Sequence, residues 1–252
     1  MNQAGRVQDL VLLHGWGTNA GVWRTLGEYL APRFRLHTPA LPYGAGTAGS
    51  EAETVDEVAE VLASRSPERC AVCGWSLGAL VALAWAARAP RQVCRLALIA
   101  ASPCFVRKDG WPHAMAATAL QDFAGELGRD TAGTLARYIA LQAGGDAHAA
   151  SVARYLRGTL SAAMREVDTA ALQRGLSMLS RTDLRPALDS IAQPTLVMHG
   201  DRDAITPLAA GRYLAQALPN ARIVIMEGAA HVPFASEPHR AQARLASFFD
   251  EG

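Results

Sequence analysis

Six short apolar runs, separated by longer stretches with helical periodicity, constrain the fold of this chain more than any other feature. The runs are Leu10–Leu13, Leu36–Thr38, Cys70–Cys73, Leu96–Ala100, Thr195–Met198 and Ile223–Met226. Short apolar runs that alternate with helices are typical of buried parallel strands, whose crossover connections place helices on both faces of the sheet. The sequence therefore predicts an α/β fold with a mostly parallel central sheet and flanking helices.

The stretch between the fourth and fifth runs departs from this alternation. It has no convincing strand pattern, but it contains amphipathic helical patterns. One follows Asp130, a good N-cap residue, and ends at Gly144–Gly145, and another carries Val152 and Leu156 on one face. We interpret residues 104–183 as a helical cap, or lid, inserted into one core that is formed by residues 1–103 and 184–252.

Length and composition fit one large domain. The chain has 252 residues, half of them are hydrophobic, and its net charge is +1, so no long-range field favours nucleic acid. Met1–Asp9 is too polar for a signal peptide, and no apolar run approaches the roughly 20 residues that span a bilayer. We expect a cytoplasmic monomer with neither a nucleic-acid partner nor a membrane partner.

Four cysteines are too few for a disulfide scaffold. Cys70 and Cys73 form a CxxC pattern, but they lie inside an apolar run, and no second pair of metal ligands follows them. We therefore expect buried thiols at these positions, no metal and no cofactor.

Residues Gly74-Trp75-Ser76-Leu77-Gly78 match the pattern G-x-S-x-G. The match follows the apolar run at Cys70–Cys73 and precedes a helical pattern at Ala79–Arg88, which is the strand, turn and helix context that this motif requires. The sharp turn aims a serine hydroxyl outward, and flanking glycines give the turn room. The motif predicts that Ser76 is a nucleophile.

The pattern resembles that of the α/β-hydrolase family, and so does His14-Gly15-Trp16-Gly17, which follows the first apolar run. In that family an H-G-x-G turn supplies one oxyanion-hole donor, and the residue after the nucleophile supplies the other. The resemblance implies that the backbone N–H groups of Trp16 and Leu77 are the donors and that His14 orients the turn. The Trp16 indole is interpreted either as a wall of the acyl pocket or as a core aromatic, and Trp75 as a packing residue.

The acid of a serine hydrolase on this fold precedes the base in the sequence, and both follow the nucleophile. After the apolar run at Thr195–Met198 the chain reads His199-Gly200-Asp201-Arg202-Asp203. The resemblance places the acid at Asp203, whereas Asp201 is expected to stabilise the turn through its own backbone.

The loop after the last apolar run presents the base. It reads Glu227-Gly228-Ala229-Ala230-His231-Val232-Pro233-Phe234, which places one imidazole beyond the sheet. We predict that His231 is the base. His239 is expected to be solvated at the start of the last helix, and His199 comes too early in the expected order.

Narrower patterns resemble the pimeloyl-acyl-carrier-protein methyl ester esterases of biotin synthesis. They include Leu12-Leu13-His14-Gly15-Trp16-Gly17, Ala101-Ser102-Pro103-Cys104-Phe105, Trp111-Pro112, Ala140-Leu141-Gln142, Asp183-Leu184-Arg185 and Ala230-His231-Val232-Pro233-Phe234. This resemblance covers nearly the whole chain. It implies a substrate that consists of a dicarboxylate chain on acyl carrier protein with its far carboxyl masked as a methyl ester, and hydrolysis that releases methanol.

An acidic carrier would need a basic docking surface. Between residues 131 and 165 the chain has one acid, Asp146, against four arginines, which are Arg137, Arg154, Arg157 and Arg165. The resemblance places Arg137, Arg154 and Arg157 at carrier-docking positions, although the same pattern also fits an ordinary solvated helix face. It also implies that Trp16, Ser76, Tyr138 and His231 bind the substrate, although Tyr138 could equally be a core residue.

Two further functions fit the same residues. A general carboxylesterase or thioesterase for small acyl groups, without a carrier, would use the same catalytic residues. A non-catalytic hydrolase-fold protein would use the pocket only to bind a ligand. Cofactor-free peroxidase activity also occurs on this scaffold. Ser76 in the G-x-S-x-G turn argues against reactions that need an aspartate nucleophile at that position.

Overall fold

The computed structural model describes residues 8–44, 52–160 and 168–251, and within these ranges the chain forms six strands and ten α-helices. The strands are β1 (Gln8–Leu13), β2 (Phe34–His37), β3 (Cys70–Trp75), β4 (Val93–Ile99), β5 (Thr195–Gly200) and β6 (Ala221–Met226). The helices are α1 (Arg24–Leu30), α2 (Val55–Arg65), α3 (Leu77–Arg88), α4 (Ala117–Arg129), α5 (Thr131–Ala143), α6 (Ala149–Leu160), α7 (Thr169–Arg181), α8 (Leu208–Ala217), α9 (Pro233–Ser236) and α10 (Pro238–Asp250). Two short 3-10 helices span Ala20–Trp23 and Arg185–Ser190.

The six strands form one sheet in the order β2-β1-β3-β4-β5-β6, and every neighbouring pair is parallel. The predicted parallel α/β architecture is therefore confirmed. The six predicted runs lie within or overlap these strands, although the second and fourth runs each end one residue after their strand, at Thr38 and Ala100.

Alternate residues of the strands face two separate apolar cores. Val11 and Leu13 of β1 belong to the core that α2, α3 and α8 cover, whereas Leu10 and Leu12 face α1 and α10. Leu10–Leu13 are fully buried on both faces of β1, because helices cover both sides of the sheet. This explains why the inner strands contain continuous apolar runs rather than alternating ones.

The strand order reverses next to β1, which lies between β2 and β3. The loops that follow β1 and β3 therefore leave the same edge of the sheet side by side, and in open parallel sheets a ligand site forms at such a switch point. Those two loops contain His14–Gly17 and Ser76, so the fold alone brings the two glycine-rich motifs together.

Four helices, α4 to α7, lie between β4 and β5 in the sequence. Asp130 caps α5 as predicted, since its side chain accepts a hydrogen bond from the Gly133 N–H at 2.9 Å. The described part of this insertion contains only isolated bridges and no strand of the sheet. At its base, Leu184 N–H donates to the Pro103 carbonyl at 2.9 Å, so the chain leaves the insertion next to where it entered it.

All four cysteines are free, and burial raises the pKa of the Cys70 thiol to about 12. The expected buried thiols at Cys70 and Cys73 are therefore confirmed. The described residues contain no group of three or more His, Cys, Asp or Glu side chains arranged to hold a metal ion. Among the described helices, none combines the length and the apolarity needed to cross a lipid bilayer.

Candidate active site

Ser76 lies on a strained turn between β3 and α3. Its φ of 55° is in the left-handed region, which a non-glycine residue adopts at a cost, and its N–H donates to the Ile99 carbonyl at 3.0 Å. A Cβ at Gly78 would overlap the carbonyl oxygens of Leu13 and His14, and a Cβ at Gly74 would overlap the backbone of α3. The two glycines are therefore required for the turn that points Ser76 off the sheet.

Asp203 follows β5 and is almost fully buried. Its Oδ1 accepts the backbone N–H groups of Ile205 and Thr206, each at 2.9 Å. Its Oδ2 accepts the Thr206 hydroxyl at 2.7 Å. These bonds fix the rotation of the carboxylate, so that Oδ2 points toward the loop after β6.

His231 lies on that loop and joins the other two side chains. Its Nδ1 is 2.8 Å from Asp203 Oδ2, and its Nε2 is 3.0 Å from Ser76 Oγ. A carboxylate at Nδ1 holds the proton there, which leaves Nε2 as the acceptor that faces the serine hydroxyl. The three predicted residues, from three separate loops, thus form one hydrogen-bonded chain.

Opposing effects act on the Asp203 carboxyl. Burial on its own would raise its pKa, but the electrostatic interaction with His231, the His231 hydrogen bond and the Thr206 hydroxyl together lower it more, so the pKa lies below its ordinary value. The carboxylate is therefore ionised beside the imidazole. An ionised acid in this position stabilises the imidazolium that forms when His231 takes a proton.

His199 is a second buried imidazole at the same carboxylate. Its Nε2 is 3.6 Å from Asp203 Oδ2 and donates to the Thr206 carbonyl at 2.7 Å. Burial is the largest cause of its lowered pKa. His199 is therefore neutral and supports the loop that carries Asp203, because its Nε2 donates to the Thr206 carbonyl.

His239 and Asp201 both lie outside the hydrogen-bonded chain of Ser76, His231 and Asp203. His239 is exposed at the start of α10, as expected. The sequence suggested that Asp201 stabilises its own turn. Instead, its Oδ1 accepts the Gly228 N–H at 2.7 Å, and Asp201 thereby supports the loop that carries His231.

The turn after β1 lies directly against Ser76, since a Cβ at Gly15 would be 3.3 Å from the Ser76 Cβ. His14 fixes this turn, because its Nδ1 donates to the Gly15 carbonyl at 3.0 Å while its Nε2 accepts the Leu41 N–H at 3.3 Å. Burial lowers the pKa of His14 to about 4, so it is neutral at pH 7 and can accept that N–H.

Trp16 and Leu77, the predicted oxyanion donors, flank Ser76 on two elements. Leu77 is the first residue of α3, and a first-turn N–H has no acceptor within its own helix. In the turn after β1, Gly17 N–H donates to Tyr43 and Thr18 N–H donates to Gly15, so the turn is held without the Trp16 N–H. The helix dipole of α3 adds positive potential at the same place.

An aromatic cluster lies next to Ser76, which the Tyr138 side chain contacts. The Trp16 ring packs edge-on against Tyr138 at 5.0 Å and against Phe123 at 5.5 Å between ring centroids, and its Nε1 donates to the Leu172 carbonyl at 2.8 Å. Phe123, from α4, is a member of the cluster that the sequence does not predict. Its position in the amphipathic pattern of α4 gives only a signal for burial.

The hydroxyl of Tyr138 is directed at the reaction centre. It interacts with the Ser76 side chain, and burial, the largest cause, together with the Asp203 charge raises its pKa. The phenol therefore keeps its proton and can donate it in a hydrogen bond. Tyr138 thus brings both a ring and a polar group next to Ser76. The sequence predicted either a substrate-binding residue or a core residue and gave no signal for a role of the hydroxyl.

The three predicted docking arginines differ in their surroundings. Arg137 is ion-paired with Glu126 of α4 at 2.9 Å. Arg154 and Arg157 are exposed on α6, opposite the buried Val152 and Leu156, and neither forms an ion pair with a described residue. Arg165 lies outside the described residues.

This chain is similar to known α/β hydrolases and esterases. A family model described as alpha/beta hydrolase fold matches residues 10–238. A pimeloyl-[acyl-carrier protein] methyl ester esterase of Aromatoleum aromaticum is 44% identical over 91% of this chain and 93% of that protein. One of the same name from Nitrosomonas europaea is 41% identical over 94% and 93%. The solved structure of an esterase from Exiguobacterium antarcticum superposes with a TM-score of 0.84 at 21% identity, and the match covers 97% of this chain and 92% of that one.

Proposed function

The chain belongs to the α/β-hydrolase family, and we propose that it is a serine carboxylesterase that hydrolyses the methyl ester of pimeloyl-acyl carrier protein, in biotin biosynthesis. The observation that carries the proposal is the position of His231, which is hydrogen-bonded to Ser76 Oγ and to Asp203 Oδ2 at once. The names of relatives that are 41–44% identical over more than nine-tenths of the chain support the substrate.

The acylation half-reaction follows from this geometry. Ser76 Oγ attacks the methyl ester carbonyl while His231 Nε2 takes its proton, and the carbonyl oxygen becomes an oxyanion. The backbone N–H groups of Trp16 and Leu77 stabilise that oxyanion. When the intermediate collapses, the bond to the methoxy oxygen breaks, and His231 returns the proton to it, so that methanol leaves and the acyl group stays on Ser76.

Deacylation repeats the same steps with water. His231 Nε2 takes a proton from a water molecule as its oxygen attacks the acyl carbonyl, and the second oxyanion occupies the same donors. Collapse breaks the bond to Ser76 Oγ, which recovers its proton from His231, and the product acid ionises in water. Asp203 keeps the imidazole in the required tautomer in both halves and stays ionised throughout.

The side chains around Ser76 fit an ester of a long acyl chain. Trp16, Phe123 and Tyr138 form an aromatic cluster beside Ser76, and this apolar surface suits the methylene groups of a pimeloyl chain. The protein-bound end of the substrate is acidic, and Arg154 and Arg157 on α6 offer positive charge that no acid among the described residues neutralises. Arg137 is the weaker candidate for docking, since Glu126 already neutralises it.

We propose a monomer that works in the cytoplasm. All the groups that the mechanism uses come from one chain, so the reaction needs no partner residue. The four free cysteines, three of them buried, fit a reducing compartment, in which disulfides are rare. The chemistry uses only side chains and backbone groups of this chain, and we expect activity that a chelator does not reduce.

The test is hydrolysis of pimeloyl-acyl-carrier-protein methyl ester by the wild type and by Ser76→Ala, with methanol and the free carboxylate as measured products. The proposal predicts rapid wild-type turnover that the substitution abolishes. Ser76-dependent cleavage of short nitrophenyl esters without cleavage of the carrier substrate would instead favour a general esterase. Release of pimeloyl methyl ester from the carrier would identify a thioesterase, and inactivity on every ester would favour a ligand-binding protein.

A further inference from the structure

Asp146 is a buried acid that the proposed mechanism does not use. It lies in the turn between α5 and α6, its exposed fraction is 7%, and it forms no ion pair with any described cation. A carboxylate that is buried without a charged partner must be satisfied by hydrogen bonds, because its desolvation is costly. The donors that satisfy it therefore indicate what it holds in place.

One of those donors is the backbone N–H of Ala230, the residue directly before His231. It lies 2.7 Å from Asp146 Oδ2. The other oxygen, Oδ1, accepts the Ser236 hydroxyl at 2.8 Å and the His148 N–H at 2.7 Å. One carboxylate thus joins the turn after α5 to the loop before His231 and to the short helix α9 after it.

Backbone hydrogen bonds beside Asp146 hold the same two segments together. His231 N–H donates to the Gln142 carbonyl at 3.3 Å, and Ala147 N–H donates to the Gly228 carbonyl at 2.8 Å. The first joins the end of α5 to the His231 loop, and the second joins the turn after α5 to it. Asp146 is the one side chain among the described residues that bonds this loop on both sides of His231.

We propose that Asp146 is a positioning residue for His231: through the Ala230 N–H it fixes the loop so that Nε2 stays in line with Ser76 Oγ. The inference rests on the proposed esterase mechanism. Because the carboxylate belongs to the helical insertion, the catalytic imidazole is held from two sides, by Asp203 from the core and by Asp146 from the cap. A misplacement of about 1 Å at a reacting group can lower a rate by about 100-fold.

The substitutions Asp146→Ala and Asp146→Asn separate the two oxygens. Alanine removes all three acceptor contacts. Asparagine can still accept the Ala230 N–H with its carbonyl oxygen, but its amide N–H₂ group then faces the His148 N–H, a second donor. Ser236→Ala is the matched control, since it removes a hydrogen bond of similar length from Asp146 and leaves the bond to Ala230 intact.

We expect kcat for a short nitrophenyl ester to fall at least about tenfold in Asp146→Ala and by a smaller factor in Asp146→Asn. KM should change by less than about twofold in both, and so should kcat of Ser236→Ala. The rate of Ser76 phosphonylation by a fluorophosphonate should fall in parallel with kcat, because that reaction also needs the aligned imidazole. A small substrate is chosen because it does not depend on the cap for docking.

A purely structural role would give a different result. If Asp146→Ala lowers Tm as much as Ser236→Ala does, with kcat and the phosphonylation rate unchanged, the inference is overturned, and a rise in KM alone overturns it too. If Asp146→Ala does not fold, Asp146→Ser, whose shorter side chain does not reach the Ala230 N–H, decides in its place. Ser76→Ala, assayed alongside, distinguishes failure of the proposed function from failure of this inference. Full activity in Ser76→Ala would refute the proposed mechanism, whereas inactivity in it together with wild-type kcat in Asp146→Ala would refute only the role of Asp146.

Discussion

The indole Nε1 of Trp75 donates a hydrogen bond to the carbonyl oxygen of His231 at 2.8 Å. The residue next to the candidate nucleophile therefore holds the backbone of the candidate base, although 155 positions separate Ser76 from His231 in the sequence. The Trp75 ring also packs against His231 and Phe234. The nucleophile turn and the base loop are thus joined at two points, by the reacting side chains and by this bond behind them.

Thr206 offers the first test of how the acid is held. Its hydroxyl donates to Asp203 Oδ2, the same oxygen that faces His231, at 2.7 Å. In Thr206→Val the volume is kept and the bond to a charged acceptor is lost, so we expect kcat to fall about tenfold with little change in KM. Steady-state kinetics on a nitrophenyl ester measures this, and Thr206→Ser should keep most of the activity. An unchanged kcat in the valine variant would show that the two backbone N–H groups orient Asp203 without the hydroxyl.

Tyr138 separates the polar role of a side chain from its apolar one. Tyr138→Phe keeps the ring against Trp16 and removes the hydroxyl that interacts with Ser76. Because a neutral hydrogen bond contributes about 0.5–1.5 kcal/mol, we expect kcat to fall roughly two- to tenfold with the preference for acyl-chain length unchanged. Tyr138→Ala should in addition raise KM for long acyl chains. Wild-type kcat in Tyr138→Phe would leave only membership of the aromatic cluster as the role of this residue.

The exposed arginines of α6 test the carrier. Reversing both charges in Arg154→Glu/Arg157→Glu should lower kcat/KM for the carrier-bound methyl ester by at least about tenfold and leave a short nitrophenyl ester unaffected, because steering acts only on the charged substrate. The matched control is Arg69→Glu/Arg91→Glu, which reverses two exposed charges just before the amino ends of β3 and β4, opposite the carboxyl ends that carry Ser76 and Asp203. Equal losses in both double variants, or no loss in either, would contradict docking on α6.

His14 makes a prediction about stability and pH. Burial lowers its pKa to about 4 in the folded state, whereas the unfolded chain has the ordinary value of about 6.5. As the pH falls, the unfolded state therefore binds a proton before the folded state does. Neutral His14 contributes fully to the free energy of unfolding above pH 6.5, and this contribution is lost progressively between pH 6.5 and 4. The size of this loss is roughly 3 kcal/mol.

Urea unfolding at pH 7.5 and pH 4.5 measures this effect in the wild type and in His14→Asn, whose amide can still donate to the Gly15 carbonyl. We expect a smaller loss of unfolding free energy between the two pH values in the variant, since all the remaining groups that titrate are shared. The same loss in both proteins would show that His14 is not the group that resists protonation.

Much of the fold follows from the sequence because it depends on local patterns. Strands buried on both faces are apolar along their length, so the runs at β1, β3 and β5 can be recognised in the sequence before it is known which strands pair. The candidate site was predictable for a related reason. The carboxyl ends of neighbouring parallel strands meet at one edge, so the residues after β3, β5 and β6 had to converge there.

The supporting contacts could not be predicted, because each depends on how separate elements pack. The bond from Ala230 to Asp146 joins residues 84 positions apart, and the ion pair of Arg137 with Glu126 exists only because α4 and α5 lie side by side. Asp146 was visible in the sequence only as the one acid of a basic stretch. Thr206 was closer to prediction, since it lies three residues after Asp203, but nothing in its sequence position indicates that its hydroxyl points back.

The most direct test of the account is the reaction of the protein with a fluorophosphonate, followed by mass spectrometry of the digested protein. If His231 activates Ser76, the wild type gains one covalent adduct on the peptide that contains Ser76, and His231→Ala gains it far more slowly or not at all. An adduct on another residue, or equal labelling of Ser76 with and without the imidazole, would contradict the central claim that His231 makes Ser76 the nucleophile.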